Sequence, residues 1–293
     1  MNTLVIRALA KINLAIDVLG KRPDGYHTID MVTIPLKLHD SVEISPLKNA
    51  DQTYLYCDDP SIICDESNLA YKALDTIKSS FPFQGSYRIF IYKKIPVEAG
   101  LGGGSADAAA VFRAYSLIRK PSVEEEKKLE EISLSVGADV PFCLKNVPCR
   151  VQGIGETLTP ITVAYPYYVL VVKPSYGLAT KTVYEGYDLV PGKDIRHPDI
   201  PALIDALAHD DTEGMKKNMV NVLSVPAIQA LPLIGDILSQ MAKMNLPLSG
   251  MSGSGSACFA LSKDKKLLER AAHVFENEGN EVILTQFQLP GMK

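Results

Sequence analysis

The period of apolar and polar positions changes several times along the chain, and each change predicts an element. Residues 3–9 and 12–19 are rich in Val, Leu and Ile and read as strands, with Lys11 the polar position between them. Residues 21–27 carry a Pro-Asp-Gly breaker and read as a turn. Further strands are expected at 30–37, 41–46 and 53–57. Leu69, Ala70, Ala73, Leu74 and Ile77 recur at helical spacing and predict a helix over 67–80. Residues 86–95 alternate, with Ile89 and Ile91 on one face, as a strand does. An Ala-rich helix is expected over 105–119 and stopped by Pro121. Ser122 and Glu125 have the spacing of a capping box, so a second helix covers about 123–134. Gly137 closes it, and strands are expected near 140–152, with Asp139 in the turn before the Val-Pro that starts them. A buried strand follows at 167–174. From 179 strands alternate with helices, at about 179–187, 200–208, 211–223, 226–244 and 265–277, and the last strand is 281–288. The stretch 188–200, with Pro191, Gly192 and Pro198, is the most loop-like. This order, strand-heavy first and helix-heavy later, predicts an α+β fold with a boundary near 155–165.

Composition narrows the function. Thirty basic against 34 acidic residues leave a net charge of −4. An acidic chain is a poor general binder of nucleic acid or membrane surfaces, which attract clustered Lys and Arg. Any anionic ligand must therefore be held by local features. The five cysteines are odd in number and form no Cys-x-x-Cys, which argues against a disulfide framework and a thiolate metal site. The opening apolar run is short and interrupted by Lys11, so a signal peptide is not expected, and no run approaches a membrane span. A reduced, cytoplasmic setting is the expectation.

The strongest local chemistry lies at 100–105. Glycines at 100, 102, 103 and 104 run into the Ala-rich helix. A helix N-terminus carries unpaired N–H groups and a partial positive charge, and glycines before it let successive N–H groups converge on an anion. Four glycines in five residues exceed what a strand-to-helix turn needs. No Gly-Lys-Ser/Thr closes the run, and it is placed wrongly for a dinucleotide fingerprint. Ser105 either caps the helix or binds phosphate or magnesium, Asp107 complements the helix end, and the alanines at 106 and 108–110 favour close packing.

Pro96, Val97, Glu98, Ala99, Gly100, Leu101, Gly102, Gly103, Gly104, Ser105 and Ala106 together resemble the second motif of the GHMP small-molecule kinases, P-x-x-x-G-L-G-S/G-S-A/S. Residues 11–29 resemble that family's first motif, and 246–261 its third. Gly25-Tyr26-His27, with 137–142 and 219–223, is similar to the branch whose acceptor is 4-diphosphocytidyl-2-C-methyl-D-erythritol. The likeness spans nearly the whole chain, with the motifs in order. It implies a two-domain architecture, an N-terminal nucleotide-binding domain at 1–160 and a C-terminal GHMP domain at 161–293, with the active site in the cleft between them. It implies transfer of a phosphoryl group from ATP, with Mg²⁺ accompanying the nucleotide and no metal site of the chain's own. The acceptor group would be the 2-hydroxyl of that cytidine-diphosphate compound, in non-mevalonate isoprenoid precursor synthesis. A monomer or homodimer is expected. The alternatives are a GHMP kinase for homoserine or mevalonate, and a non-catalytic nucleotide sensor on this fold.

The resemblance also changes how single residues read. Lys11 alone would be a strand lysine whose stem covers apolar surface; the family places its catalytic lysine there. Asn13, two residues on and so on the same strand face, becomes a substrate hydrogen-bonder. Asp139 alone is a turn aspartate; by resemblance it is the catalytic carboxylate that takes the acceptor's proton, paired with Lys11. Tyr26 and His27 become the wall that recognises cytosine, and Tyr184 the ring stacked on it. Thr180, four residues before Tyr184 on one helix face, lines the acceptor site. Asn68 caps a helix and, by resemblance, lies near adenine. Gly253 and Ser254, in the second Gly/Ser loop, sit beside the phosphate loop.

Overall fold

The structure is a computed structural model that describes residues 3–48, 52–83, 85–191 and 195–292. Residues 192–194 of the expected loop, Gly192 among them, lie outside the described residues. Two long strands open the chain, β1 (Leu4–Lys21) and β2 (His27–Leu47), which pair with each other. The Pro-Asp-Gly turn joins them, closed by the Arg22 N–H on the Tyr26 carbonyl at 2.7 Å. Each was expected as two strands. A polar residue does not interrupt an extended backbone, because pairing uses main-chain groups while side chains alternate between faces. Lys11 and Asp40, at the expected breaks, are both buried inside these strands.

The chain forms two compact units that interleave in sequence: Met1–Ala10, Leu38–Ile95 and Gly102–Asn146 in one, and Lys11–Lys37, Pro96–Leu101 and Val147–Lys293 in the other.

In the first unit, the C-terminal part of β2 pairs antiparallel with β4 (Ser86–Tyr92), with Ser41 opposite Tyr92 and Leu47 opposite Ser86. β3 (Tyr54–Cys57) runs parallel to β4 at the sheet edge. The helices are α1 (Leu69–Ser80), α2 (Gly103–Arg119), α3 (Val123–Val136) and α4 (Val140–Lys145). Ala106, Ala108, Ala109 and Ala110 are fully buried, which is what small side chains permit where α2 meets α1 and α4. The capping box of α3 is present: Ser122 Oγ accepts from the Glu125 N–H, and Glu125 Oε2 accepts from the Ser122 N–H at 2.8 Å. One expectation needs correction. Residues 140–145 are helical, with the strand starting only at Cys149. Pro141 falls in the first helical turn, where its missing N–H costs nothing, and a short apolar run has no period that separates strand from helix.

In the second unit, the N-terminal part of β2 pairs antiparallel with β5 (Cys149–Gly153), which pairs with β6 (Thr157–Pro160). A separate antiparallel sheet has the order β10 (Glu281–Gln286), β7 (Tyr168–Lys173), β9 (Cys258–Ser262), β8 (Ser249–Met251). Its central strand β7 is buried through Val169, Leu170, Val171 and Val172. The helices are α5 (Thr180–Leu189), α6 (Ile200–His209), α7 (Thr212–Asn218), α8 (Ser224–Ala230), α9 (Leu233–Lys243) and α10 (Lys265–Asn277). Two expected helices are corrected. The 211–223 segment leaves the helix after Asn218, because Val220 and Val222 exchange backbone bonds with Ile16 of β1. The 226–244 segment breaks at Leu231–Pro232, where proline has no N–H to continue the ladder. The segregation of strands and helices makes this an α+β fold. Among the described residues no helix is long and apolar enough to cross a membrane.

Candidate active site

The glycine run begins on an unusual backbone. Glu98, Gly100 and Gly102 have φ of 52°, 71° and 72°, while the residues between them stay at negative φ. Alternating handedness of this kind turns successive N–H groups to one side and makes an anion-binding concavity. The carbonyls of the same stretch are all taken by protein donors. Glu98 O accepts from the Ser256 N–H, Ala99 O from Ala257, and Leu101 O from Lys11, at 3.4, 3.3 and 3.0 Å. Gly100 O accepts from Ser252 Oγ at 2.9 Å. Gly100 can be nothing else: a Cβ there would sit 2.1 Å from the Ser252 carbonyl oxygen. The second Gly/Ser loop is thus the backing of the first, with Gly253 against the Gly100 backbone and Ser254 Oγ 2.9 Å from Thr180 Oγ1.

Helix α2 then starts with no side-chain cap. Its first internal bond runs from the Ala106 N–H to Gly102 O at 2.8 Å, so the N–H groups of Gly103, Gly104 and Ser105 are the helix's open donors. A Cβ at Gly104 would meet only Leu69, at an ordinary 3.6 Å. Packing does not demand glycine there, whereas close approach of a ligand to the backbone does. These donors fit the phosphates of a nucleotide. Among the described residues no group of three or more His, Cys, Asp or Glu is placed to hold a metal ion.

Asp107 does not complement the helix end as expected. It is 4% exposed and faces Lys93, whose Nζ lies 3.0 Å from Asp107 Oδ2 and 2.5 Å from Asp40 Oδ2. Asp40 Oδ1 also accepts from the Lys94 and Ile95 N–H groups, at 2.5 and 2.8 Å. The cluster therefore ties the strand exit before the glycine loop to the helix after it. Burial pushes the Asp107 carboxyl up to about 7, against the pull of Lys93 and with the help of Asp40. A buried lysine explains the difference from expectation: its charge has to be matched inside, and Asp107 lies one turn into the helix, past the end that a carboxylate would cap.

Lys11 and Asn13 share one face of β1. Lys11 is 3% exposed and its Nζ donates to Asn13 Oδ1 at 2.7 Å. Because an ammonium only donates, this bond orients the amide, and Asn13 Nδ2 then donates to Thr33 Oγ1 at 2.9 Å. Ser252 Oγ accepts from the Asn13 N–H at 3.3 Å while donating to Gly100 O, so one hydroxyl couples this strand to the glycine loop. Ser252 was missed in the sequence, where it is one serine among several in a Gly/Ser stretch.

The residues expected around cytosine divide. Tyr26 is 60% exposed, and its N–H bonds Asp24 in the turn. His27 turns inward and is brought to Tyr184, with ring centroids 4.9 Å apart, and to the edge of Tyr187 at 6.4 Å. Its Nε2 lies 2.7 Å from Asp188 Oδ1, and Lys21 Nζ is 2.6 Å from the other Asp188 oxygen. Hydrogen bonds from Lys21 and His27 hold the Asp188 carboxyl below its usual range. Tyr187 and Asp188 were not singled out in the sequence. Their signal was the helical spacing that places residues 184, 187 and 188 on one face of α5.

In the first unit, Asp139 stands at the N-terminal boundary of α4 and makes no cap bond to it. Arg113 holds that helix in place: its guanidinium donates to the Cys143 carbonyl at 2.6 Å and to the Arg7 carbonyl at 2.7 Å. Asn68 caps α1 through the Ala70 N–H and donates to Ile63 O, each at 2.9 Å, so its amide orders the loop before the helix.

Comparison with known proteins bears on this arrangement. Residues 68–146 match the N-terminal domain of GHMP kinases, and residues 203–281 the GHMP kinase C-terminal domain. The chain is 36% identical over 283 residues to a 4-diphosphocytidyl-2-C-methyl-D-erythritol kinase of Clostridium botulinum (strain Kyoto / Type A2), which spans 97% of this chain and 99% of that one. It is 40% identical over 267 residues to the kinase of the same name from Clostridioides difficile (strain 630), with 91% and 89% covered. A crystal structure of a 4-(cytidine 5'-diphospho)-2C-methyl-D-erythritol kinase is similar at TM-score 0.80 and 30% identity, over 97% and 99% of the two chains. Homoserine kinase from Cytophaga hutchinsonii ATCC 33406 is similar at TM-score 0.75 and 17% identity, over 99% and 95%, a likeness of fold alone. With both domains matched and relatives alike over nearly their full length, the chain belongs to the GHMP kinase family.

Proposed function

We propose that this protein transfers the γ-phosphoryl group of ATP to the 2-hydroxyl of 4-diphosphocytidyl-2-C-methyl-D-erythritol, a step of non-mevalonate isoprenoid precursor synthesis. The full-length likeness to kinases of that name supports the reaction. The observation that carries the acceptor is the inward-facing His27 ring against Tyr184: an imidazole edge beside an aromatic face suits a pyrimidine, and homoserine or mevalonate has no use for it. Residues 96–106 hold the ATP phosphates through backbone N–H groups, with Asn68 ordering the adenine side. Mg²⁺ carried with the nucleotide would offset phosphate charge, and Ser105 would offer it a hydroxyl. Asn13 and Thr180 position the acceptor, and Tyr26 covers the base from the turn.

Phosphoryl transfer is chiefly positioning and charge stabilisation. Asp139 accepts the proton of the attacking hydroxyl as the new P–O bond forms, and the Lys11 ammonium offsets charge on the moving group. In this reading the nucleotide-side residues fall within 1–160, while Thr180 and Tyr184 lie in 161–293. The protein works in the cytoplasm as a monomer or homodimer, without nucleic-acid or membrane partners. An ADP-release assay with the cytidine-diphosphate compound beside homoserine and mevalonate tests the proposal, and activity only on the latter two would overturn it. Asp139→Asn is expected to lower kcat by about 10²–10⁴-fold with nucleotide binding intact. Near-normal turnover would remove the base role.

A further inference from the structure

We propose that Asp188 is a positioning residue: by holding the Nε2 proton of His27 it leaves Nδ1 as a lone-pair acceptor for the exocyclic amine of the substrate's base, and so sets cytosine against uracil. This rests on the acceptor reading above. The carboxylate of Asp188 lies 2.7 Å from Nε2 through one oxygen and is paired with Lys21 through the other. An ionised carboxylate only accepts, so the Nε2 that faces it must carry hydrogen. In the neutral ring the other nitrogen is then an acceptor. Nδ1 makes no hydrogen bond among the described residues, which leaves it to a ligand.

The ring around it is held firmly. Its side chain is 8% exposed, with the tilted Tyr184 ring at 4.9 Å and the Tyr187 edge at 6.4 Å. Tyr187 is anchored in turn by its hydroxyl on the Val18 carbonyl at 3.3 Å. Cytosine offers an amine to such an acceptor, whereas uracil carries a carbonyl oxygen at the same position, and two lone pairs would face each other. A site built for one hydrogen-bond polarity rejects its reverse more strongly than an apolar wall does.

The test has two arms. In ¹⁵N-histidine NMR of the full chain at pH 8, with the His27 signals assigned by a His27→Gln variant, the wild type is expected to show the Nε2–H form. Asp188→Asn, which can donate as well as accept, is expected to show a mixture of both tautomers. In kinetics, the ratio of kcat/KM for the cytidine substrate to that for its uridine counterpart is expected to fall about tenfold in Asp188→Asn, mainly through KM, and to recover in Asp188→Glu. An Nδ1–H form in the wild type overturns the inference, as does an Asp188→Asn variant with unchanged tautomer and unchanged ratio. Those results leave the kinase reading standing. A wild type inactive on both substrates overturns that reading and the base selection together.

Discussion

Replacing Asp107 with asparagine is expected to change how stability depends on pH. The carboxyl sits 4% exposed beside Asp40 and Lys93, and one oxygen, Oδ1, is buried without a hydrogen-bond partner. Burial raises its pKa from the ordinary 3.8 to about 7, so the folded protein holds a proton that the unfolded chain has released. Stability then falls as pH rises from near the unfolded value to about 7, and levels off above it. From 3.8 to about 7, at about 1.36 kcal/mol per pH, the full cost at high pH is on the order of 4 kcal/mol. Part of that is already lost by pH 5, and the larger part falls between pH 5 and the raised pKa. Asparagine keeps the shape, can donate to Asp40 and accept from Lys93, and does not titrate. Urea denaturation of both proteins at several pH values across that range gives the difference in stability at each. The difference should move in favour of Asp107→Asn as pH rises, by about 1 kcal/mol or more, and level off above the raised pKa. Two stability curves that stay parallel from pH 5 to 8.5 would refute the reasoning.

Other expectations are simpler. Gly100→Ala combines a left-handed φ of 71° with a collision of 2.1 Å against the Ser252 carbonyl, so beyond the roughly 1–2 kcal/mol of backbone strain it should displace the phosphate loop. Calorimetry should show ATP affinity lost at least tenfold. Tyr184→Ala should weaken acceptor binding by about 1–3 kcal/mol while leaving the KM for ATP near wild type, and equal loss of both would count against the ring's assignment. Ser122→Ala removes the exposed α3 cap and should lower stability by about 1 kcal/mol in urea without changing kcat.

The sequence by itself determined what a few neighbouring residues can dictate. Helical spacing located α1 and α2, Ser122 and Glu125 marked the start of α3, and the glycines announced a backbone loop before a helix, because periodicity, capping and φ preference act within one or two turns. Pro232 carried a readable break in the 226–244 helix that went unread. The 140–145 segment was not readable at all, since a short buried run satisfies strand and helix equally. The motifs named the residues of the candidate site but not what they touch. The hydroxyl that joins Asn13 to the glycine loop belongs to a serine 239 residues away, and the carboxylate on His27 lies 161 residues along. Lys93 turns Asp107 from an apparent helix-end charge into a buried partner. Only the tertiary structure decided these pairings, because hydrogen-bond partners and desolvation are set by which distant segments pack together, and no local preference encodes that.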